Sequence, residues 1–433
     1  MSETLSTNEN HTEATKFDIK KLRETVREIV DSTEVIDIHT HLFAPQFGAM
    51  NLFGIDELLT YHYLVAELFR YSNINPEQFW KLSKVEKAEL VWKHLFVENT
   101  PLSEAATGII TVLSELGLDA NTRNLDELRE YFLSVDNSTH IDRILKKSRV
   151  KRVVMTNDPF DAEEVEIWDK NLPKDNRFSA ALRMDRLLND WQNTSAKLNW
   201  NKDLSENTIS QIRTFFDSWI DKMKPLYMAV SLPDNFDYFA DDSRNKLILE
   251  VVLPTAKQHN LSFALMVGVR RNVNPELRAA GDGVGRSDPL SLENICLENP
   301  EVRFLATYLS RENQHELCIS ARKFSNLMPF GCWWFLNNPS IIAEITRERL
   351  ELLGTSFIPQ HSDARVLEQL LYKWKHSRRI IAEVLSESYE RLINAGRNVS
   401  ENDIKRDVEK LFSENFENWT RTEKAESAKL ING

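Results

Sequence analysis

Cysteine is scarce in this chain. Only Cys296, Cys318 and Cys332 occur in 433 residues, with no CxxC spacing, and an odd count suits a reducing compartment better than a disulfide framework. They read as buried thiols. Long apolar runs are missing too: nothing approaches the roughly 20 residues that a membrane helix needs. The opening sixteen residues, MSETLSTNENHTEATK, hold no apolar stretch of the signal-peptide kind. The expectations are a disordered tip over 1–16, no membrane partner and a cytoplasmic location. Basic charge is in deficit, with 54 Lys and Arg against 66 Asp and Glu and a net charge of −12, which argues against nucleic acid or an anionic membrane as partner. A small anionic substrate stays open, because a local arginine pocket overrides the global sign. No solenoid-period repeat and no low-complexity linker divides the chain, so residues 17–433 read as one domain.

What the chain does contain is a recurring apolar, often β-branched run, with helical patterns between successive copies. Such runs fall at 35–41, 150–156, 178–182, 226–232, 261–269, 302–309, 326–331 and 355–363. About eight alternating β and α units predict a (β/α)₈ TIM-like barrel, whose reacting groups sit at the C-terminal strand ends and in the loops that follow. Residues 51–147 carry helical patterns such as IDELLTYHYLVAELFRY and read as a helical insertion after strand 1, a lid over the barrel mouth. A helical tail follows the last strand: a long amphipathic helix over 366–395, then a second helix that Ser400 would cap. The glycine-rich GDGVGR at 281–286 lacks GxGxxG or Walker spacing and reads as a mobile loop.

The first run, VIDIHTH, ends in His39 and His41. Positions i and i+2 of a strand face one way, so two imidazoles there can converge on one ion. Asp363 ends the eighth run, which neighbours the first once a barrel closes, and would complete a three-ligand site with open positions for substrate or water. Zinc is the first expectation, with manganese or iron compatible. Taken as residues alone, the histidines also fit a hydrogen-bonded structural pair, and Asp363 fits the cap of a helix starting near Arg365.

With these motifs the sequence resembles the amidohydrolase superfamily and, within it, the uronate isomerase family. The resemblance is carried by HY at 62–63, TNDPFD at 156–161, ALRMD at 181–185, VGVRRNVN at 267–274, FGCWWFLNN at 330–338 and HSDAR at 361–365. It implies a metal held by His39, His41 and Asp363, and His62 and Tyr63 reaching from the lid toward a sugar. It also implies Arg183, Arg271 and Arg365 around an anionic ligand, with Trp333 and Trp334 lining the substrate site. Asp363, Tyr63, His62 and Arg365 would serve catalysis, the first two as proton carriers. The implied reaction interconverts an aldose and a ketose hexuronate, glucuronate to fructuronate in type, through an enediol. One divalent ion is the only cofactor required, and a homo-oligomer is compatible.

Two places depart from the family pattern. Met266 stands on the fifth strand where the family carries histidine, and Ser231 and Leu232 replace an Asp-His pair on the fourth. A thioether neither suits a hard cation nor moves protons. Two rival readings follow: a mononuclear metal hydrolase or lyase, and a degenerate barrel that binds a sugar acid without turnover.

Overall fold

The structure is a computed structural model and describes residues 19–421; the expected disordered tip over 1–16 lies outside the described residues. Its centre is a curled sheet of parallel strands. In chain order these are β1 (Val35–Thr40), β2 (Val150–Asn157), β3 (Phe178–Arg183), β4 (Tyr227–Pro233), β5 (Ser262–Arg270), β7 (Phe304–Tyr308) and β8 (Leu327–Pro329), each beside the next. A two-residue strand, β6 (Gly283–Val284), pairs antiparallel with β5 outside this path. The glycine-rich segment is therefore a hairpin and not a free loop. Gly285 sits tightly there, since a Cβ would stand 1.9 Å from Asp234 Oδ2.

The eighth barrel position differs from a regular strand. Ile358 bridges Phe330 in parallel, its amide donating to the Pro329 carbonyl, while the Gly331 amide donates to the Ile358 carbonyl. Pro359 then offers no N–H to continue the ladder. Four residues on, Asp363 N donates to His39 O at 3.1 Å and His41 N to Ala364 O at 2.8 Å, closing the ring against β1.

Side-chain alternation divides the strands into two faces. Ala181, Tyr227, Ala229, Ala264, Met266 and Leu305 point inward to one apolar cluster, whereas Leu182, Met228, Val230, Leu265 and Phe304 pack outward against helices. Strict alternation would place Ile36 and Ile38 on one face of β1 and His39 and His41 on the other. A bulge prevents this: β1 takes three steps from Asp37 to Thr40 while β2 takes two, from Val153 to Met155. The extra residue flips the phase, so the isoleucines and then the histidines face the interior. Thr40, now outward, donates its hydroxyl to Val154 O.

Helices fill the long connection between β1 and β2, among them Ile55–Leu59, His62–Tyr71, Lys84–Trp92 and Glu104–Leu116. After the ring closes, the helix Gln369–Asn394 packs against Ile19–Ser32 and Pro339–Leu353. Helix Glu401–Glu409 begins with a reciprocal capping box between Ser400 and Asp403, as its sequence predicts. The chain then returns beneath the barrel, where Phe416 enters the interior cluster beside Tyr227 and closes the N-terminal end. The candidate site lies toward the opposite end of the strands, where His39 and His41 follow the β1 bulge. Among the described residues no helix is long and apolar enough to cross a membrane.

Candidate metal centre and its surroundings

The bulge in β1 and the closing segment together bring His39, His41 and Asp363 to one point. One ligand atom from each lies within 4.8 Å of the others, the span expected of atoms that share an ion. Their backbones are tied directly by the two ring-closing hydrogen bonds, so the ligand set does not depend on flexible side-chain reach alone. Asp363 adopts φ 51° and is no helix cap, because the following helix begins only at Gln369.

Three observations show that the group fits a divalent cation. First, burial pushes the His39 imidazole down to about 3 and that of His41 to about 4, leaving both neutral with a lone pair to give. Second, His41 Nε2 stands 3.3 Å from Asp363 Oδ1, yet this buried oxygen has no hydrogen-bond partner among the described residues. A neutral imidazole and a carboxylate this close can both offer a lone pair to one cation. Third, the tautomer of His39 is fixed. Tyr227 donates its phenol proton to Ile38 O at 2.6 Å, so its oxygen can only accept from His39 Nδ1, 3.2 Å away. The proton thus resides on Nδ1 and Nε2 is free to ligate, the usual arrangement around a metal-bound histidine. Two imidazoles and a carboxylate suit zinc, and also manganese or iron.

Above the ligands stands the first turn of helix His62–Tyr71. Tyr61 precedes it, and the rings of Tyr61, His62 and Tyr63 meet edge-on or tilted, their centroids 4.2–4.9 Å apart. All three lie in the field of Asp363. Burial, aided by the Arg365 charge, holds His62 down at about 3, and burial raises both phenols above their ordinary value. Among the described residues His62 Nε2, Trp334 Nε1, Thr307 Oγ1 and both ring nitrogens of His361 are buried without a hydrogen-bond partner, and the buried phenols of Tyr61 and Tyr63 have at most each other. Unpaired buried donors and acceptors each cost about 1–3 kcal/mol. Such a concentration at one barrel mouth is stable only if a polar ligand or ordered water supplies the bonds.

Arginines frame this space unevenly. Arg183, the last residue of β3, pairs with Asp185 at 3.1 Å while its charge bears on His39 and His41. The ion pair and the position at the site coexist. Arg365 is exposed and acts electrostatically on His41 and His62. Arg271 lies farther out, bound to Asp282 of the β5–β6 hairpin, and reaches inward only through the Trp334 face, 5.7 Å away. The two tryptophans divide their work: Trp333 is packed in the barrel interior, whereas Trp334, at φ 50°, turns its ring toward His62 at 5.8 Å.

Sequence reasoning passed over Tyr61, Tyr227, His361 and Lys373. His361 precedes Asp363 by two and was open to the same i, i+2 argument as the histidine pair. Lys373 had a signal too, as a cation next to Leu370, Leu371, Tyr372 and Trp374 in the sequence. Met266 lies in the apolar interior between Ser231 and Thr307, with Ser231 facing inward and Leu232 outward. The triad is the one metal-capable group of its size among the described residues.

No protein-family model matches the sequence, and no curated protein matches it. Solved structures do. The chain is 50% identical to a uronate isomerase from Bacillus halodurans, with a TM-score of 0.91 over 93% of this chain and 97% of that one. The fold is shared with a uronate isomerase from Thermotoga maritima (14% identity, TM-score 0.75, 93% and 97% covered). It is shared equally with a glucuronate isomerase from Caulobacter crescentus (13%, 0.75, 95% and 97%).

Proposed function

The chain belongs to the uronate isomerase family, and we propose on that premise that it interconverts an aldose and a ketose hexuronate, glucuronate and fructuronate in type, at the centre described above. The observation that carries this reading is the meeting of a two-histidine, one-carboxylate cation site with unpaired buried polar atoms from the helix at 62–71. A sugar acid presents hydroxyls to satisfy those atoms and a carboxylate for an arginine fork.

The reaction moves one proton from C2 to C1 and leaves composition unchanged. A base removes the C2 proton while the carbonyl oxygen at C1 gains one, giving an enediol; the C2 hydroxyl then loses its proton as C1 receives one. Asp363, an anion facing His41, would accept the proton, and Tyr63, whose phenol burial keeps protonated, would donate one and take it back. His62, neutral by burial, can donate or accept one hydrogen bond at Nε2. Arg365 and Arg183 give positive charge facing the developing oxyanion, and Trp334 screens the site from water. A divalent cation held by His39, His41 and Asp363 supplies Lewis-acid polarisation of substrate oxygen, and zinc matches the donor set.

The test uses purified protein supplemented with zinc or manganese and incubated with glucuronate in heavy water. A keto acid carrying solvent deuterium is expected. Elemental analysis run in parallel should find one ion per chain, lost in His41→Ala and Asp363→Ala. If metal binds and no hexuronate turns over, the isomerase reading is wrong.

A further inference from the structure

Lys373 is 3% exposed, on the face of helix Gln369–Asn394 that looks into the barrel wall. A buried ammonium without a counterion is costly, and lysine is among the residues least often fully buried. Yet among the described residues no carboxylate forms an ion pair with it. Its one acceptor is the backbone carbonyl of Ser362, 2.5 Å from Nζ. The same ammonium stands 6.0 Å from the Tyr61 ring centroid and 5.8 Å from that of Tyr63. Its field reaches Asp363 and Asp37.

Ser362 is held from its other side as well. Its amide donates to Asp37 Oδ1 at 3.0 Å, and Asp37 Oδ2 accepts from Trp374 Nε1 at 2.8 Å. Consecutive helix residues, 373 and 374, thus grip both ends of the residue immediately before the metal-ligating carboxylate. The grip matters because the closing segment lacks a regular ladder here and Asp363 must hold φ 51°, a conformation that non-glycine residues seldom keep without outside restraint.

We infer that Lys373 is a positioning residue: it fixes the Ser362 carbonyl, which aims Asp363 at the shared ion, and its cation seats the Tyr61–Tyr63 turn over the same point. It carries no proton in the reaction and touches no ligand atom. The inference rests on the reading of His39, His41 and Asp363 as ligands, and its main readout is metal affinity and not turnover.

Zinc affinity is measured by chelator competition on the full chain for the parent, Lys373→Met, Lys373→Gln and Lys373→Arg, with Lys375→Met as the exposed neighbour. Each neutral variant is expected to lose about 10–100-fold in affinity, the range for groups that orient metal ligands. Arg, which keeps charge and donors, should restore most of it, and Lys375→Met should match the parent. With zinc saturating, the Met variant should show lowered kcat with KM within about threefold of the parent. The Gln variant decides the matter if Met does not unfold cooperatively. Zinc affinity within twofold of the parent in a folded neutral variant overturns the inference, as does a loss that Arg fails to relieve. A parent that binds no zinc removes the ligand reading by itself; kcat of the neutral variants then decides, and values within twofold of the parent overturn the role of Lys373.

Discussion

The phenol of Tyr227, deep in β4, holds the imidazole of His39 at the end of β1: its oxygen lies 3.2 Å from Nδ1 and its proton is committed to Ile38 O at 2.6 Å. Tyr227 is 1% exposed, so no water replaces this bond. Tyr227→Phe should therefore free the His39 tautomer and weaken zinc binding about 10–100-fold. Loss of the two hydrogen bonds should also cost about 1–3 kcal/mol of stability. Chelator competition and urea denaturation check the two effects separately. Unchanged affinity would show that the tautomer is set elsewhere.

Gly331 occupies φ 65°, and a Cβ on it would stand 1.8 Å from Nδ1 of the fully buried His361. His361 in turn packs 5.5 Å from the His39 ring. Gly331→Ala adds left-handed strain to an overpacked contact and should destabilise by about 2–5 kcal/mol. Denaturation midpoints measure this. Gly354→Ala, where φ is 61° but no atom lies within 4 Å of the added carbon, provides the strain-only control.

Glu164 is 4% exposed, and burial pushes its carboxyl up to about 7, against the hydrogen bonds it accepts from Asn157 Nδ2 and the Asp158 amide. A carboxyl with a raised folded-state value binds its proton more tightly when folded. Its contribution to stability is present below the unfolded value near 4.5 and is lost as pH rises through about 7. Glu164→Gln removes that loss, so the variant should gain on the parent by on the order of 2–3 kcal/mol between pH 4.5 and pH 8. Urea titrations at both pH values test the sign. A difference independent of pH would contradict it.

All three cysteines are buried and free. Burial raises the thiols of Cys318 and Cys332 to about 11 and that of Cys296 higher still. They should stay protonated and unreactive at pH 8. Ellman's reagent is expected to find no reactive thiol in the native protein and all 3 after unfolding in guanidinium. Rapid native labelling of Cys332 would mean that the barrel wall beside Gln360 opens readily.

The barrel was readable from the sequence because each strand needs only a short apolar run, and the runs recur at the spacing that intervening helices require. Seven of those runs are strands of the central sheet at nearly the expected residues. The eighth, 355–363, is less regular, since Pro359 interrupts its ladder and only tertiary hydrogen bonds complete the ring. The helix expected over 366–395 is Gln369–Asn394, its start delayed by the turn that carries Asp363 and Arg365.

His39, His41 and Asp363 were legible because metal-binding side chains at strand ends are chemically distinctive wherever they occur. Period-two alternation suffices to pair the two histidines, but it leaves Ile36 and Ile38 on the opposite face from them. The bulge that brings all four inside is set by the register against β2. Tyr227 and Tyr61 were illegible for a similar reason: tyrosines within apolar patterns look like ordinary packing until the fold shows what stands opposite, and the cation of Lys373 in its apolar stretch gave no hint of its partner. The sequence by itself determined the barrel, the metal-capable residue types and the family, because periodicity and side-chain chemistry are local properties. Only the tertiary structure decided which way β1 turns its histidines, which proton His39 keeps and what holds Asp363 in place, because these depend on groups distant in the chain whose meeting no local pattern encodes.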